Sequence, residues 1–134
     1  MEHRLGQHTI DIDGDFVVIT LVGDCLAEHI SAILVLIDGI GGGKGAYYVI
    51  AKVQHLDGVP PEARRIAGAW RGIGRVGGTA IVGATVLTRT LVMLVSRAST
   101  LISSTRKTGE LRFYKTEEEA RDWLIAHRAA SSLR

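Results

Sequence analysis

The stretch Ala46–Arg75, AYYVIAKVQHLDGVPPEARRIAGAWRGIGR, decides the fold. Tyr47 to Val53 has strand length and is rich in β-branched and aromatic residues, the composition of a strand buried on both faces. Gly45 before it and the Asp57-Gly58 pair after it are turn signals that bound the run. It predicts the central strand of a sheet. The loop Gln54 to Pro61 then leaves the strand's carboxyl end and enters a helix, with Pro60 and Pro61 near its first turn, where a missing N–H costs nothing. In an open α/β sheet, that crevice is where sites usually lie. The loop holds no Ser, Thr or Cys and a single His, so it carries no complete catalytic set.

Upstream of this stretch, Thr9 to Asp13 alternates apolar and acidic residues and Phe16 to Val22, FVVITLV, reads as a second strand. Asp13-Gly14-Asp15 between them is a hairpin signal. Asp24 is a predicted N-cap for a helix over Cys25 to Ile40, with Leu26, Ile30, Ile33, Leu34 and Ile37 on one face and Val35 and Leu36 widening it. The glycines of Ile40 to Gly45, IGGGKG, end that helix.

Downstream, a helix over about Glu62 to Ile73 turns Ala63, Ile66, Ala67 and Trp70 inward and spaces Arg64, Arg71 and Arg75 along an outer stripe. Thr79 to Ala84 is a short buried strand. A long helix over about Val86 to Arg106 repeats Leu87, Leu91, Leu94, Val95, Ala98, Leu101 and Ile102 at helical spacing, with Val86, Val92 and Met93 off that stripe. Glu110 to Tyr114 is the last strand. Thr116 caps a final helix whose first turn carries Glu117, Glu118 and Glu119, well placed against the helix dipole, and Ala120, Trp123, Leu124 and His127 dock it. Residues 129–134 are expected to fray. The resulting order β-β-α-β-α-β-α-β-α predicts an α/β domain: a mostly parallel sheet with an N-terminal hairpin and packed helices.

Composition agrees with one folded domain. At 134 residues, 46% hydrophobic and 22% charged, the chain can sustain one core and has no room for a second domain. Cys25 is the only cysteine, which excludes an intrachain disulfide and a four-cysteine zinc site and points to a reducing cytoplasm. The N-terminus carries acids and no apolar h-region, so no secretory signal is expected. Ala80 to Val95, the longest apolar run, is interrupted by glycine, threonines and Arg89, which argues against a membrane span. Net charge is +2, but residues 1–59 hold 3 basic and 8 acidic groups while residues 60–107 hold 8 and 1. Such asymmetry suits an anionic partner or self-association, or simply interleaves on a folded surface.

The order of elements, the segment LDGVPPEARR after the central strand, AIVGAT with the R-T-L helix behind it, and the ending LRFYKTEEEARDWL together resemble the bacterial SpoIIAA-like proteins of the STAS superfamily, from about Thr9 to His127. The aromatic strand followed by T-E-E-E-A-R-x-W-L is the most specific part. The resemblance implies a compact sheet with helices, similar also to lipid-carrying CRAL-TRIO domains, and usually no demonstrated chemistry. In anti-sigma-factor antagonists of that superfamily, a serine at the start of the second helix is phosphorylated and controls docking, which suits a helix N-terminus and its free N–H groups. The matching window here, Leu56 to Arg65, has no hydroxyl residue, and Asp57 is its fixed negative charge before the helix.

Other motifs read as structure. Gly72 to Gly77 matches G-x-G-x-x-G but closes a helix and leads into a strand, the reverse of a dinucleotide fingerprint. Gly39 to Gly45 lacks the spacing of a P-loop. His55 and Asp57 alone make no catalytic site, and His3, His8, His29 and His127 lack metal-ligand spacing. Cys25 reads as a small buried hydrophobe. Trp70 falls on the apolar side of its helix, so the basic groups lack the interleaved aromatics of a nucleic-acid surface. The surplus apolar residues Val35, Leu36, Val86, Val92 and Met93 point to an interface or a ligand groove.

The functional expectation is a non-enzymatic regulatory or protein-interaction module with no cofactor and no metal. It would bind a protein partner or a second copy as a homodimer, with Asp57, Arg64, Arg71, Arg75, Val86, Arg89, Val92 and Met93 as the candidate contact residues. The alternative is a carrier of a small apolar or lipid-like ligand. Nucleic acid is not an expected partner.

Overall fold

The computed structural model describes residues 2–43, 45–70, 75–90, 93 and 110–132. Six strands form one sheet in chain order: β1 (Glu2–Leu5), β2 (His8–Asp13), β3 (Phe16–Asp24), β4 (Tyr47–Gly58), β5 (Val76–Val82) and β6 (Glu110–Tyr114). β1, β2 and β3 are antiparallel, and β3 to β6 are parallel. Helix α1 (Ala27–Asp38) connects β3 to β4, followed by a 3₁₀ turn at Ile40–Gly43, and α2 (Pro61–Gly68) leaves β4. Residues 86–90 and Met93 are helical, and a C-terminal helix, Glu117–Ser132, ends the described chain.

Parallel strands laid in chain order, with right-handed crossovers, put the connecting helices on one face of the sheet. Ile33 and Ile37 of α1 accordingly pack with Ile10, Val17, Ile19, Tyr47, Val49 and Val76 on that face. Ala120 and Leu124 of the C-terminal helix pack with Phe16, Tyr48, Ile50, Ala80 and Val82 on the other. β4 therefore needs apolar side chains on both faces, and Tyr47 and Tyr48 head its two alternating rows. Burial raises the Tyr47 hydroxyl pKa well above the ordinary tyrosine range.

Several boundaries differ from expectation. The chain opens with a three-stranded meander rather than a single hairpin, because Glu2–Leu5 pairs with His8–Asp11 through a two-residue turn at Gly6-Gln7, with Gly6 at φ 61°. This edge strand has no hydrophobic period; Leu5 is its side chain against the core, and charged residues suit an edge. Asp57-Gly58 is strand, not turn: Val22, Gly23 and Asp24 pair with His55, Leu56 and Gly58 across two register shifts. Asp24 thus ends β3 instead of capping α1, which begins after Leu26. α2 ends at Gly68, closed by the Ala69 N–H donating to the Arg65 carbonyl. Leu36 is taken partly into the core, whereas Leu87, expected inward, is exposed and Thr88 is buried in its stead. Leu91, Leu94, Val95, Ala98, Leu101 and Ile102 lie outside the described residues.

The last helix agrees closely with its sequence. The Thr116 hydroxyl accepts the Glu119 N–H at 3.2 Å, an N-cap, and donates to the Glu119 carboxylate at 3.0 Å. Glu117 meets Lys52 and Arg121, each at 3.0 Å, and their hydrogen bonds hold its carboxyl below the usual range. Residues 129–132 are helical rather than frayed.

Gly77, the final glycine of the G-x-G-x-x-G string, has a packing role. A Cβ there would lie 2.6 Å from the Tyr48 ring, between β4 and the register shift that opens β5. Gly77→Ala is expected to destabilise the fold by about 1–3 kcal/mol through overpacking, read by urea denaturation with an unchanged m-value. A neutral result would mean that the Tyr48 ring moves aside freely.

Candidate functional site

The carboxyl ends of β3 to β6 form one edge of the parallel sheet, the edge at which open α/β folds place their sites. Backbone hydrogen bonds close it in two places. The Cys25 N–H donates to the Gly58 carbonyl at 2.9 Å, and the Gly83 N–H donates to the Tyr114 carbonyl at 3.0 Å. Gly83 has φ 77° and approaches Gln54 so closely that a Cβ would lie 2.9 Å from the Gln54 Cβ. Both contacts hold adjacent strand ends together and leave the surface above them to the following helices.

Cys25 lies at this edge but is fully buried, and burial pushes its thiol up to about 11, so it remains protonated at neutral pH. His55 and Asp57 are exposed, two residues apart on β4 and hence on one face of the strand. Among the described residues, no three His, Cys, Asp or Glu side chains come together in a group that could hold a metal ion.

Thr85 and Thr88 begin the helical segment 86–90. The Thr85 hydroxyl accepts the Thr88 N–H at 3.2 Å and lies 3.0 Å from the Thr88 hydroxyl, so it acts as an N-cap. The T-x-x-T spacing was the available signal for this cap, and hydrophobic period alone passes over it. Beyond the cap, Val86 is 84% exposed, Leu87 66% and Met93 42%. Arg89 lies among them with its guanidinium 4.9 Å from the Phe113 ring centroid on β6. Val86 and Met93 have the spacing of one helix face, two turns apart.

The candidate contact residues divide between the two ends of the sheet. Asp57, Arg64, Val86, Arg89 and Met93 belong to the carboxyl edge or to the helices that leave it. Arg64 is half-buried on α2, and its Nε has no hydrogen-bond partner among the described residues. Arg75 belongs to the opposite end. It precedes β5 instead of continuing the α2 stripe, and it donates to the carbonyls of Gly45, Asp38 and Ile40 at 2.9, 3.1 and 2.6 Å. Its guanidinium also lies 5.0 Å from the Tyr47 ring centroid. Tyr47 opens β4 and Asp57 nearly closes it, which separates Arg75 from Asp57 by about 30 Å of extended chain. They share no site. Arg71 and Val92 lie outside the described residues.

Two histidines that look unrelated in sequence meet. His8 Nε2 lies 3.2 Å from His29 Nδ1, 21 positions away. His127 instead bonds the Gly77 carbonyl at 2.9 Å and stacks on Trp123.

With this architecture in hand, comparison with solved structures gives its class. An uncharacterised protein of the DUF3478 family with a SpoIIAA-like fold, from Shewanella loihica PV-4, matches at 20% identity and a TM-score of 0.61, over 87% of this chain and 91% of that one. The unphosphorylated anti-sigma factor antagonist SpoIIAA matches at 15% identity and a TM-score of 0.56, over 88% of this chain and 97% of that one. The chain thus has a SpoIIAA-like fold. No family model matches the sequence, and no curated protein matches it. Among the described residues, no helix is long and apolar enough to cross a membrane.

Proposed function

We propose that the chain is a non-enzymatic regulatory module that docks a protein partner, or a second copy of itself, through the surface around Val86, Leu87, Arg89 and Met93. The observation that carries the reading is the cluster of exposed large apolar side chains on the helical segment that leaves β5, with an arginine held flat on Phe113 beside them. Apolar side chains in company, rather than singly, mark interaction surfaces. Aromatic-supported arginine is a common anchor in such interfaces. The likeness to an anti-sigma factor antagonist supports the same class of role. Docking here would not use a serine switch in the usual window, since Leu56 to Arg65 has no hydroxyl.

The test is light scattering with native mass spectrometry on protein purified from its own host, repeated for Val86→Asp and Met93→Asp. The expected result is a dimer or a protein complex whose affinity falls about thirtyfold in either variant, since burying one such side chain is worth about 2 kcal/mol. Folded variants that bind as well as the parent protein would reject this surface. A monomer carrying a small apolar mass would replace the proposal with a ligand-carrier role.

A further inference from the structure

The histidine pair, His8 buried and His29 half-buried, joins three elements. His8, 1% exposed, comes from β2 and accepts the Val22 N–H at its Nδ1, 3.0 Å away, where β3 shifts register against β4. His29 comes from the first turn of α1 and accepts the Leu26 N–H at its own Nδ1, 3.1 Å away. Because each Nδ1 receives a backbone N–H, each must carry a lone pair, and the proton of each neutral ring must lie on Nε2. His8 Nε2–H then donates to His29 Nδ1, completing a chain of donors that runs from β3 through β2 to α1.

A second proton on His8 displaces a backbone donor in this arrangement, a cost that the hydrogen bond to the Asp24 backbone offsets only in part. That proton would sit on Nδ1 and face the Val22 N–H. We propose that His8 and His29 form an acid-released latch that holds the start of α1 against the β2–β3 meander while His8 is neutral and releases it when His8 takes a proton.

The surroundings do little to favour an imidazolium. Neither ring is hydrogen-bonded to a carboxylate among the described residues. The titratable groups beside the pair and its backbone donors in chain or register are His3 and Arg4 on β1, Asp24 ending β3, Cys25 and Glu28 at the start of α1, and His55 opposite Val22 on β4. Gly6, in the β1–β2 turn, packs against the other side of His29; a Cβ there would lie 3.3 Å from its Nε2. Burial, and then the charge His29 would carry, lower the His8 pKa, opposed by a hydrogen bond to the Asp24 backbone. A histidine whose folded pKa is depressed contributes stability above its unfolded value of about 6.5 and loses it as pH falls toward the folded value.

The test is amide hydrogen exchange at pH 7.5 and 5.0, corrected for intrinsic rates, with Ile50 in the sheet centre as the internal reference. Protection of Val22 and Leu26 is expected to fall severalfold relative to Ile50, with a ceiling of about thirtyfold set by the roughly 1.5 units between an unfolded histidine pKa of about 6.5 and pH 5.0. An unchanged ratio would overturn the latch. In His8→Gln, which keeps an acceptor for the Val22 N–H but cannot take the proton, Val22 and Leu26 protection is expected to lose its pH dependence. If that variant fails to fold, imidazole ¹⁵N spectra of the parent protein decide: both rings must be Nε2–H tautomers at pH 7.5, and an Nδ1–H ring at either position would overturn the proposal.

Discussion

Arg75→Ala is expected to lower the stability of the fold by about 2–3 kcal/mol, roughly 8–12 °C in Tm for a domain of this size. The guanidinium gathers three carbonyls: Asp38 at the end of α1, Ile40 in the 3₁₀ turn and Gly45 ahead of β4. Hydrogen bonds from a charged donor are worth about 1.5–3 kcal/mol each when buried, and part of that is lost here to solvent. The Tyr47 ring underneath adds a cation–π contact at 5.0 Å. Arg75→Lys should recover less than half of the loss, because an ammonium cannot span three acceptors with a rigid fork. Arg89→Ala, at an exposed position, should stay within about 0.5 kcal/mol of the parent protein while weakening partner binding. If Arg75→Ala were neutral in stability and defective in binding, Arg75 would return to the contact surface.

That reversal shows which signals were local. The apolar run Tyr47 to Val53 could be read as a strand buried on both faces because each neighbour in the run demands the same environment. The Thr116 N-cap was legible for the same reason: its donors and acceptors lie within four residues. Arg75 was not legible, since its partners are 30 to 37 positions away and α2 stops at Gly68, which breaks the helical spacing that links it to Arg64. β1 was missed because an edge strand can be charged throughout. Leu87 was assigned inward because a helix that is apolar on several sides does not fix its own rotation. The neighbouring Thr88, which bonds back to the Thr85 cap, occupies the buried position. At the candidate site, the exposed pair Val86 and Met93 followed from their place off the apolar stripe, whereas the meeting of His8 and His29 depends on the turn of the meander and on the start of α1 together.

Leu124→Ala is expected to cost about 3–4 kcal/mol, in the upper part of the usual range for a buried leucine, and to loosen the C-terminal helix before the rest of the sheet. Leu124 is fully buried one turn beyond the equally buried Ala120, and on β5 it approaches the backbone of Gly78 beside the Ala80 and Val82 side chains. A Cβ on Gly78 would lie 3.1 Å from a Leu124 methyl and 3.1 Å from the His127 ring, so helix and strand meet without an intervening side chain. Neither Ala120 nor Gly78 can expand to fill the space that the substitution leaves. The same geometry makes the pair testable as a cycle. Gly78→Ala alone should destabilise by about 1–2 kcal/mol through overpacking, but in the Leu124→Ala background the added methyl enters the vacated space and meets the His127 ring alone. The double variant should therefore be more stable than the sum of the singles by about 1 kcal/mol in urea denaturation. Additivity within about 0.5 kcal/mol would show that the two positions do not touch. The C-terminal helix would then be held by its Trp123 and His127 contacts rather than by close approach to β5.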